Sequence, residues 1–258
     1  MSDRLAARVM GQVVGKSDRT IVLLHGFGGS HSTWTDIQPA LARDATVIAY
    51  DLPGHGRSLD YPGAGPATLA AKAVAADLTA RGIERVHLVG HSMGGAVATL
   101  IAMRSPERVA SLTLLAPGGF GPQINGELLK RYANAANAGE LGTIMDEMSA
   151  PGFSTPPKYV LGLAAVRGVS GQRVKLDAFH GIIQQDGKQG EIPRDAVAAL
   201  AMPVSMVWGT LDPVLPFSQT ENLPENVRLT KIDGAGHMLT VEAKSTVLSA
   251  IRASAAFA

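Results

Sequence analysis

The sequence has 258 residues, of which 46% are hydrophobic and 17% are charged, with 23 basic side chains against 22 acidic ones. This composition predicts one globular domain of the larger kind and excludes a disordered chain. The basic residues are scattered singly, so we expect no nucleic-acid partner, and the absence of cysteine excludes disulfides, thiolate metal sites and a cysteine nucleophile.

The N-terminal stretch MSDRLAARVMGQ contains no apolar segment of the kind that a secretory signal requires. The longest apolar helical stretch, near residues 96–103, is too short to cross a bilayer. We therefore expect a cytoplasmic protein that has no membrane partner and acts on a small molecule. The sequence leaves open whether the chain forms a homo-oligomer.

Short β-branched runs alternate with alanine-rich segments along the first half of the chain. Strands are predicted at residues 8–14, 21–24, 46–50, 86–89 and 112–115. Helices are predicted between them, at about residues 68–80 and 94–104. This alternation predicts an α/β fold whose mostly parallel sheet is flanked by helices.

The pattern changes between residues 118 and 201. Four helical segments follow one another without a convincing strand, at about residues 126–138, 140–148, 157–166 and 174–185. Strands at 204–208 and 227–232 and a C-terminal helix then complete the sheet. We interpret residues 1–117 and 202–258 as the core and residues 118–201 as a helical cap inserted into it.

The candidate nucleophile is Ser92, in the motif Gly90-His91-Ser92-Met93-Gly94, which matches GxSxG. The motif stands between a predicted strand and a predicted helix, where a sharp turn exposes the serine hydroxyl. An incidental serine in a glycine-rich turn is the alternative, and the flanking elements favour the catalytic interpretation.

A serine hydroxyl needs an adjacent base, which a third group holds in place. Two histidines follow Ser92, and His237 at the end of the last strand is favoured over His180, which lies in the predicted cap. Asp212 follows a strand in a turn set by a proline, and it is favoured as the acid over Asp233, which is only four residues before His237.

The motif His25-Gly26-Phe27-Gly28-Gly29 directly follows the strand at 21–24. The backbone N–H of Phe27 can therefore join that of Met93 as an oxyanion hole. A dinucleotide-binding motif is the competing interpretation, but the third glycine of GxGxxG is replaced by histidine here. We expect no cofactor and no metal, and we expect His25 and His55 to brace tight turns through hydrogen bonds.

HGFGGS, DLPGHGRS, GHSMGG, WGTLDPVLP and GAGH occur in this order, and with them the sequence resembles the α/β-hydrolase superfamily over nearly its whole length. The segment GFGPQING at 119–126 is similar to the hydrolase-like C-terminal domain of acetoin dehydrogenase dihydrolipoamide acetyltransferase subunits, which also carry an N-terminal lipoyl domain, whereas this sequence begins with the hydrolase segment. The resemblance implies triad roles for Ser92, Asp212 and His237, and a cap at 118–201.

We expect the substrate to contact side chains of the cap and of the core loops. The candidates are Phe27, Gly28, Trp34, His91, Met145, Phe153, Leu163, Val214 and Met238. The predicted reaction is hydrolysis of a small carboxylic ester or thioester through an acyl-enzyme on Ser92. The alternatives are a carbon–carbon bond hydrolase of this fold, which typically has Asn before the serine and Trp after the histidine, and a receptor without turnover or an acyltransferase-complex subunit.

Overall fold

The computed structural model describes residues 4–11, 19–62 and 64–256. In these residues the chain forms one seven-stranded sheet with the order β1-β3-β2-β4-β5-β6-β7. The strands are β1 (Ala7–Met10), β2 (Thr20–Leu24), β3 (Thr46–Tyr50), β4 (Val86–His91), β5 (Val109–Leu115), β6 (Val204–Gly209) and β7 (Val227–Ile232). Only β1 is antiparallel to its neighbour, which confirms the mostly parallel sheet.

The predicted strand at 8–14 is only partly described, since residues 12–14 lie outside the described residues. β4 and β5 are buried along their whole length, as expected for central strands covered on both faces. β7 at the edge of the sheet exposes three of its six residues, Arg228, Leu229 and Lys231.

Helices pack on the sheet in two groups. The helices of the core are α1 (Gln38–Leu41), α2 (Ala67–Ala80), α3 (Met93–Arg104), α9 (Leu239–Glu242) and α10 (Lys244–Ala256). α3 contacts β4 and β5 and packs against α2, whereas α10 contacts β5 and β6 and packs against α1. None of the helices in the described part of the chain has the length and apolarity to span a membrane.

Five further helices lie between β5 and β6. They are α4 (Gly126–Asn134), α5 (Ala138–Glu147), α6 (Pro157–Arg167), α7 (Gln172–Ile183) and α8 (Arg194–Ala198). The first four contact one another, which matches the predicted helical insertion. No sequence pattern had indicated α8, which packs against α3 of the core.

The predicted functional residues converge at one edge of the sheet. Phe27, Ser92, Asp212 and His237 follow β2, β4, β6 and β7 respectively. Because these strands are parallel, their carboxyl ends meet at the same edge, where ligands bind in open α/β sheets. The sheet topology therefore positions the candidate site.

Candidate active site

Ser92 forms the turn between β4 and α3, with φ +54° and ψ −120°. A non-glycine residue at positive φ is strained, so its surroundings must enforce this conformation. A Cβ at Gly90 would overlap the backbone of Gly94, and a Cβ at Gly94 would overlap the carbonyl of Leu24 on β2. The close approach of β4, α3 and β2 therefore fixes the turn and leaves Ser92 at the N-terminus of α3, where developing negative charge is favoured.

His237 and Asp212 form a buried hydrogen-bonded pair, with 2.7 Å between Nδ1 and Oδ2. Oδ1 of the same carboxylate accepts the backbone N–H groups of Val214 and Leu215, each at 2.8 Å. Because a carboxylate only accepts, the imidazole proton lies on Nδ1 and the lone pair lies on Nε2. The ring is thus held in the tautomer that can take a proton at Nε2.

The competing residues lie elsewhere. The Asp233 side chain is 79% exposed and pairs with Lys231 at 3.0 Å. His180, in α7, hydrogen-bonds through Nε2 to the carbonyl of Gly126 at 2.8 Å. The structure therefore brings Asp212 to His237 and leaves Asp233 and His180 in other contacts.

The loop that carries His237 is held by Glu242, a residue that the sequence analysis missed. Its Oε2 accepts the N–H groups of Gly236 and Ala150, and its Oε1 accepts that of Met238, all at 2.8 Å. The N–H of His237 itself donates to a carbonyl at the end of α5, also at 2.8 Å. The sequence signal that could have indicated this role is a glutamate in α9, the short helix that follows His237, because carboxylates near the start of a helix commonly accept backbone N–H groups.

The loop after β2 lies against the Ser92 turn. A Cβ at Gly26 would lie 3.0 Å from that of Ser92, and the loop closes on itself through the N–H of Gly29 and the carbonyl of Gly26 at 3.1 Å. Phe27 is buried between these glycines. The N–H of Met93 at the start of α3 has no partner within the helix, as is general for helix N-termini. Phe27 and Met93 thus flank Ser92.

Two buried histidines form hydrogen bonds within the loops after β2 and β3, as expected from their sequence context. His25 donates from Nδ1 to the carbonyl of Gly26 at 2.7 Å, and its Nε2 accepts the N–H of Leu52 at 3.0 Å. His55 donates from Nδ1 to the carbonyl of Pro53 at 3.1 Å. Burial lowers the pKa of His25, and it lowers the pKa of His55 to about 3. Both rings are therefore neutral near pH 7.

Two further buried side chains hold backbone segments of the site in place. His91 donates from Nε2 to the carbonyl of His237 at 2.9 Å, and burial together with the neighbouring His237 lowers the pKa of His91 to about 3. Arg167 of α6 donates to the carbonyl of Gly28 at 3.3 Å and lies over the ring of Tyr132. Sequence patterns did not single out Arg167, since its burial depends on how α6 packs.

Two cavities of unequal volume meet at Ser92. The larger measures about 280 Å³ and has mainly apolar walls, among them Ala96, Leu100, Ile124, Ile183, Ile192 and Leu215. The smaller measures about 40 Å³ and is lined by residues that include Thr33, His91, Tyr132, Met148, His237 and Met238. Phe27, Ser92 and Leu129 line both.

Of the predicted pocket residues, Phe27, His91 and Met238 line these cavities. The structure does not place the others in the walls of either cavity; they are Gly28, Trp34, Met145, Phe153, Leu163 and Val214. Trp34 is fully buried in the core, and Val214 contributes its backbone N–H to Asp212. Among the described residues, no group of three or more histidine and acidic side chains could hold a metal ion.

The chain is similar in sequence to known bacterial proteins. It is 34% identical over 230 residues to the dihydrolipoyllysine-residue acetyltransferase component of the acetoin cleaving system of Cupriavidus necator, covering 88% of this chain and 61% of that protein. The corresponding component of Pseudomonas putida is 34% identical over 233 residues, covering 90% and 62%. The chain thus spans less than two thirds of the length of these relatives.

Among solved structures, the fold is similar to 2-hydroxy-6-oxo-6-phenylhexa-2,4-dienoate hydrolase from Rhodococcus sp. strain RHA1. The TM-score is 0.81 at 23% identity, with 96% of this chain and 93% of that chain covered. A family model described as alpha/beta hydrolase fold matches residues 19–244. With this match over most of its length, the chain belongs to the alpha/beta hydrolase fold family.

Proposed function

We propose that this protein is a serine hydrolase that cleaves a small carboxylic ester or thioester through an acyl-enzyme on Ser92. The observation that carries the proposal is the pairing of His237 with Asp212 at 2.7 Å beside a cavity that Ser92 and His237 share. A positioned base that is oriented by a buried acid is what a serine hydroxyl needs in order to act as a nucleophile.

In the first half-reaction, Oγ of Ser92 attacks the carbonyl carbon, and its proton passes to Nε2 of His237. The backbone N–H groups of Phe27 and Met93 donate to the oxyanion that forms. His237 then gives the proton to the leaving oxygen or sulfur as its bond to the carbonyl carbon breaks. Asp212 keeps accepting from Nδ1 and stabilises the imidazolium while it exists.

In the second half-reaction, water attacks the acyl-enzyme, and His237 takes a proton from it. The carbonyl carbon is released as a carboxylic acid, and the proton returns to Oγ of Ser92. In this proposal residues 118–201 act as a cap, because α4 and α7 supply walls of the larger cavity. Each bond formed and broken is accounted for without a metal or an organic cofactor.

The test combines turnover of p-nitrophenyl esters of several chain lengths with labelling by a fluorophosphonate, located by mass spectrometry. Ser92→Ala should abolish labelling and lower ester turnover by at least ~10³-fold. Ser218→Ala, which changes an exposed serine, is the matched control and should label and turn over like the parent chain. Stoichiometric labelling that survives Ser92→Ala would contradict the nucleophile assignment.

The similarity to the two acetyltransferase components favours one second candidate, acyl transfer within such a complex. In that case the acyl-enzyme would pass its acyl group to a thiol in place of water. Acetyl-CoA supplied with dihydrolipoamide decides between the two. Formation of acetyl-dihydrolipoamide that outpaces hydrolysis and is lost in Ser92→Ala would support transfer, and release of acetate alone would support hydrolysis.

A further inference from the structure

The two cavities are lined by different residues of the candidate catalytic site. His237 lines the smaller cavity but not the larger one, whereas Met93 lines the larger cavity but not the smaller one. Ser92 stands between them and lines both. The two sides of a substrate bound at Ser92 therefore face different surroundings.

Proton transfer decides which side of an ester occupies which cavity, and this step depends on the function proposed above. The leaving oxygen must receive its proton from Nε2 of His237, so it must lie within hydrogen-bond reach of that atom. The alcohol part then extends on the His237 side, into the smaller cavity. The acyl chain extends on the opposite side, into the larger cavity.

The volumes set the size of each part. The smaller cavity, at about 40 Å³, is about a quarter of the size of a ~150 Å³ cavity that binds benzene, which leaves room for one or two carbon atoms. It therefore suits a methoxy or ethoxy group. The larger cavity, at about 280 Å³, is nearly twice as large as the ~150 Å³ cavity that accommodates benzene with its six carbon atoms. It has room for an acyl chain of about six to ten carbons.

The walls of the larger cavity also restrict the charge of the acyl part. Of the described residues that line it, none is lysine, arginine or histidine, and Glu191 is its one ionisable side chain. The polar Gln189 is already engaged, accepting from the N–H of Gly119 and donating to the carbonyl of Gly121. A carboxylate on the acyl chain would lose its hydration without gaining a cation, which is strongly unfavourable.

We propose that the preferred substrates are esters of a short alcohol, methanol or ethanol, with an uncharged, apolar carboxylic acid of about six to ten carbons. The reaction would release the alcohol first, from the small cavity, and leave the apolar acyl group bound to Ser92 in the large one. An acid with a second, distal carboxylate would be rejected.

Two isomeric esters test the direction of binding. Methyl octanoate and heptyl acetate have the same atoms, and both join an unbranched acid to a primary alcohol, but the long chain lies on opposite sides of the ester. We expect kcat/KM for methyl octanoate to exceed that for heptyl acetate at least ~10-fold, since the apolar contacts form only in the acyl cavity. Monomethyl suberate replaces the distal methyl of methyl octanoate by a carboxylate and should be at least ~100-fold poorer.

A variant locates the acyl chain. Ala96 of α3 faces the larger cavity, and Ala96→Phe should lower the ratio of kcat/KM for methyl octanoate to that for methyl butyrate at least ~10-fold. Val174→Phe adds similar bulk at a position on α7 that is 77% exposed, and it should leave this ratio unchanged. A ratio that Ala96→Phe does not lower overturns the assignment of the acyl chain to this cavity.

The results of these experiments distinguish a failure of this substrate inference from a failure of the proposed function. If a fluorophosphonate labels Ser92 but heptyl acetate is hydrolysed as well as methyl octanoate, or neither ester is hydrolysed, the substrate inference is overturned and the nucleophile stands. Equal turnover of monomethyl suberate overturns the exclusion of charge. If Ser92 is not labelled and no ester is hydrolysed, the proposed function fails with the inference.

Discussion

Replacing Asp212 by asparagine tests whether Asp212 is the acid that orients His237, because the effect on each hydrogen bond can be worked out. The Asp212 carboxylate accepts two backbone N–H groups at Oδ1, both at 2.8 Å, and Nδ1–H of His237 at Oδ2. An amide has one acceptor end and one donor end. If the amide oxygen faced His237, the NH₂ group would face two N–H donors, so Asp212→Asn must place its oxygen toward the backbone.

In that orientation the amide NH₂ points at His237 and donates to Nδ1, which moves the ring proton to Nε2. The ring can then no longer accept the proton of Ser92. The same change of tautomer lowers kcat by ~10⁴-fold in a serine protease triad, which corresponds to about 5 kcal/mol of activation free energy. Because both backbone hydrogen bonds survive, we expect Tm within about 4 °C of the parent chain and KM within about threefold.

The assay measures kcat and KM on a p-nitrophenyl ester in parallel with thermal unfolding. Asp233→Asn is the matched control, because the Asp233 side chain is 79% exposed and forms a surface ion pair with Lys231. It should keep kcat within about twofold. The reasoning would be refuted if Asp212→Asn kept most of its turnover, or if Asp233→Asn lost turnover while remaining folded.

Three further predictions concern the loop that carries His237, the Ser92 turn and the buried histidines. The side chain introduced by Glu242→Gln cannot accept N–H groups at both ends, so the loop that carries His237 should loosen. We expect kcat to fall ~10- to 100-fold at nearly constant KM. Unchanged steady-state kinetics would contradict a positioning role. Gly94→Ala should lower the free energy of unfolding by at least ~1–3 kcal/mol in urea titrations, because its Cβ would overlap a β2 carbonyl, whereas Gly162→Ala in the open middle of α6 should be neutral or stabilising. The pKa of His91 is about 3 in the folded protein and ~6.5 in the unfolded chain, so the unfolded chain takes up the proton first as the pH decreases. The free energy of unfolding should therefore fall as the pH decreases from 6.5 toward 3. His91→Gln should show a shallower fall of this free energy between pH 7 and pH 5, and an equal slope would contradict the prediction.

Local sequence patterns were sufficient to predict the fold and the turn at Ser92. The turn depends on Gly90 and Gly94, whose missing Cβ atoms let adjoining segments of the chain approach one another. The strand runs and the glycine-flanked serine are adjacent in sequence, so backbone sterics and the periodicity of apolar residues were sufficient to predict them. Likewise, placing Asp212 and His237 after β6 and β7 required only the rule that parallel strands end at one edge.

The walls of the cavities were decided by the tertiary structure alone. Met145 of α5 and Leu163 of α6 were predicted to contact the substrate, but both side chains are buried and neither lines either of the two cavities. Which side of a helix faces a cavity depends on contacts with segments distant in sequence, and apolar periodicity does not distinguish a core-facing residue from a cavity-facing one. The same holds for Glu242, whose partners at Gly236 and Ala150 lie 6 and 92 residues away along the chain. The sequence alone therefore determined the turn that presents Ser92, whereas long-range packing decided what surrounds it.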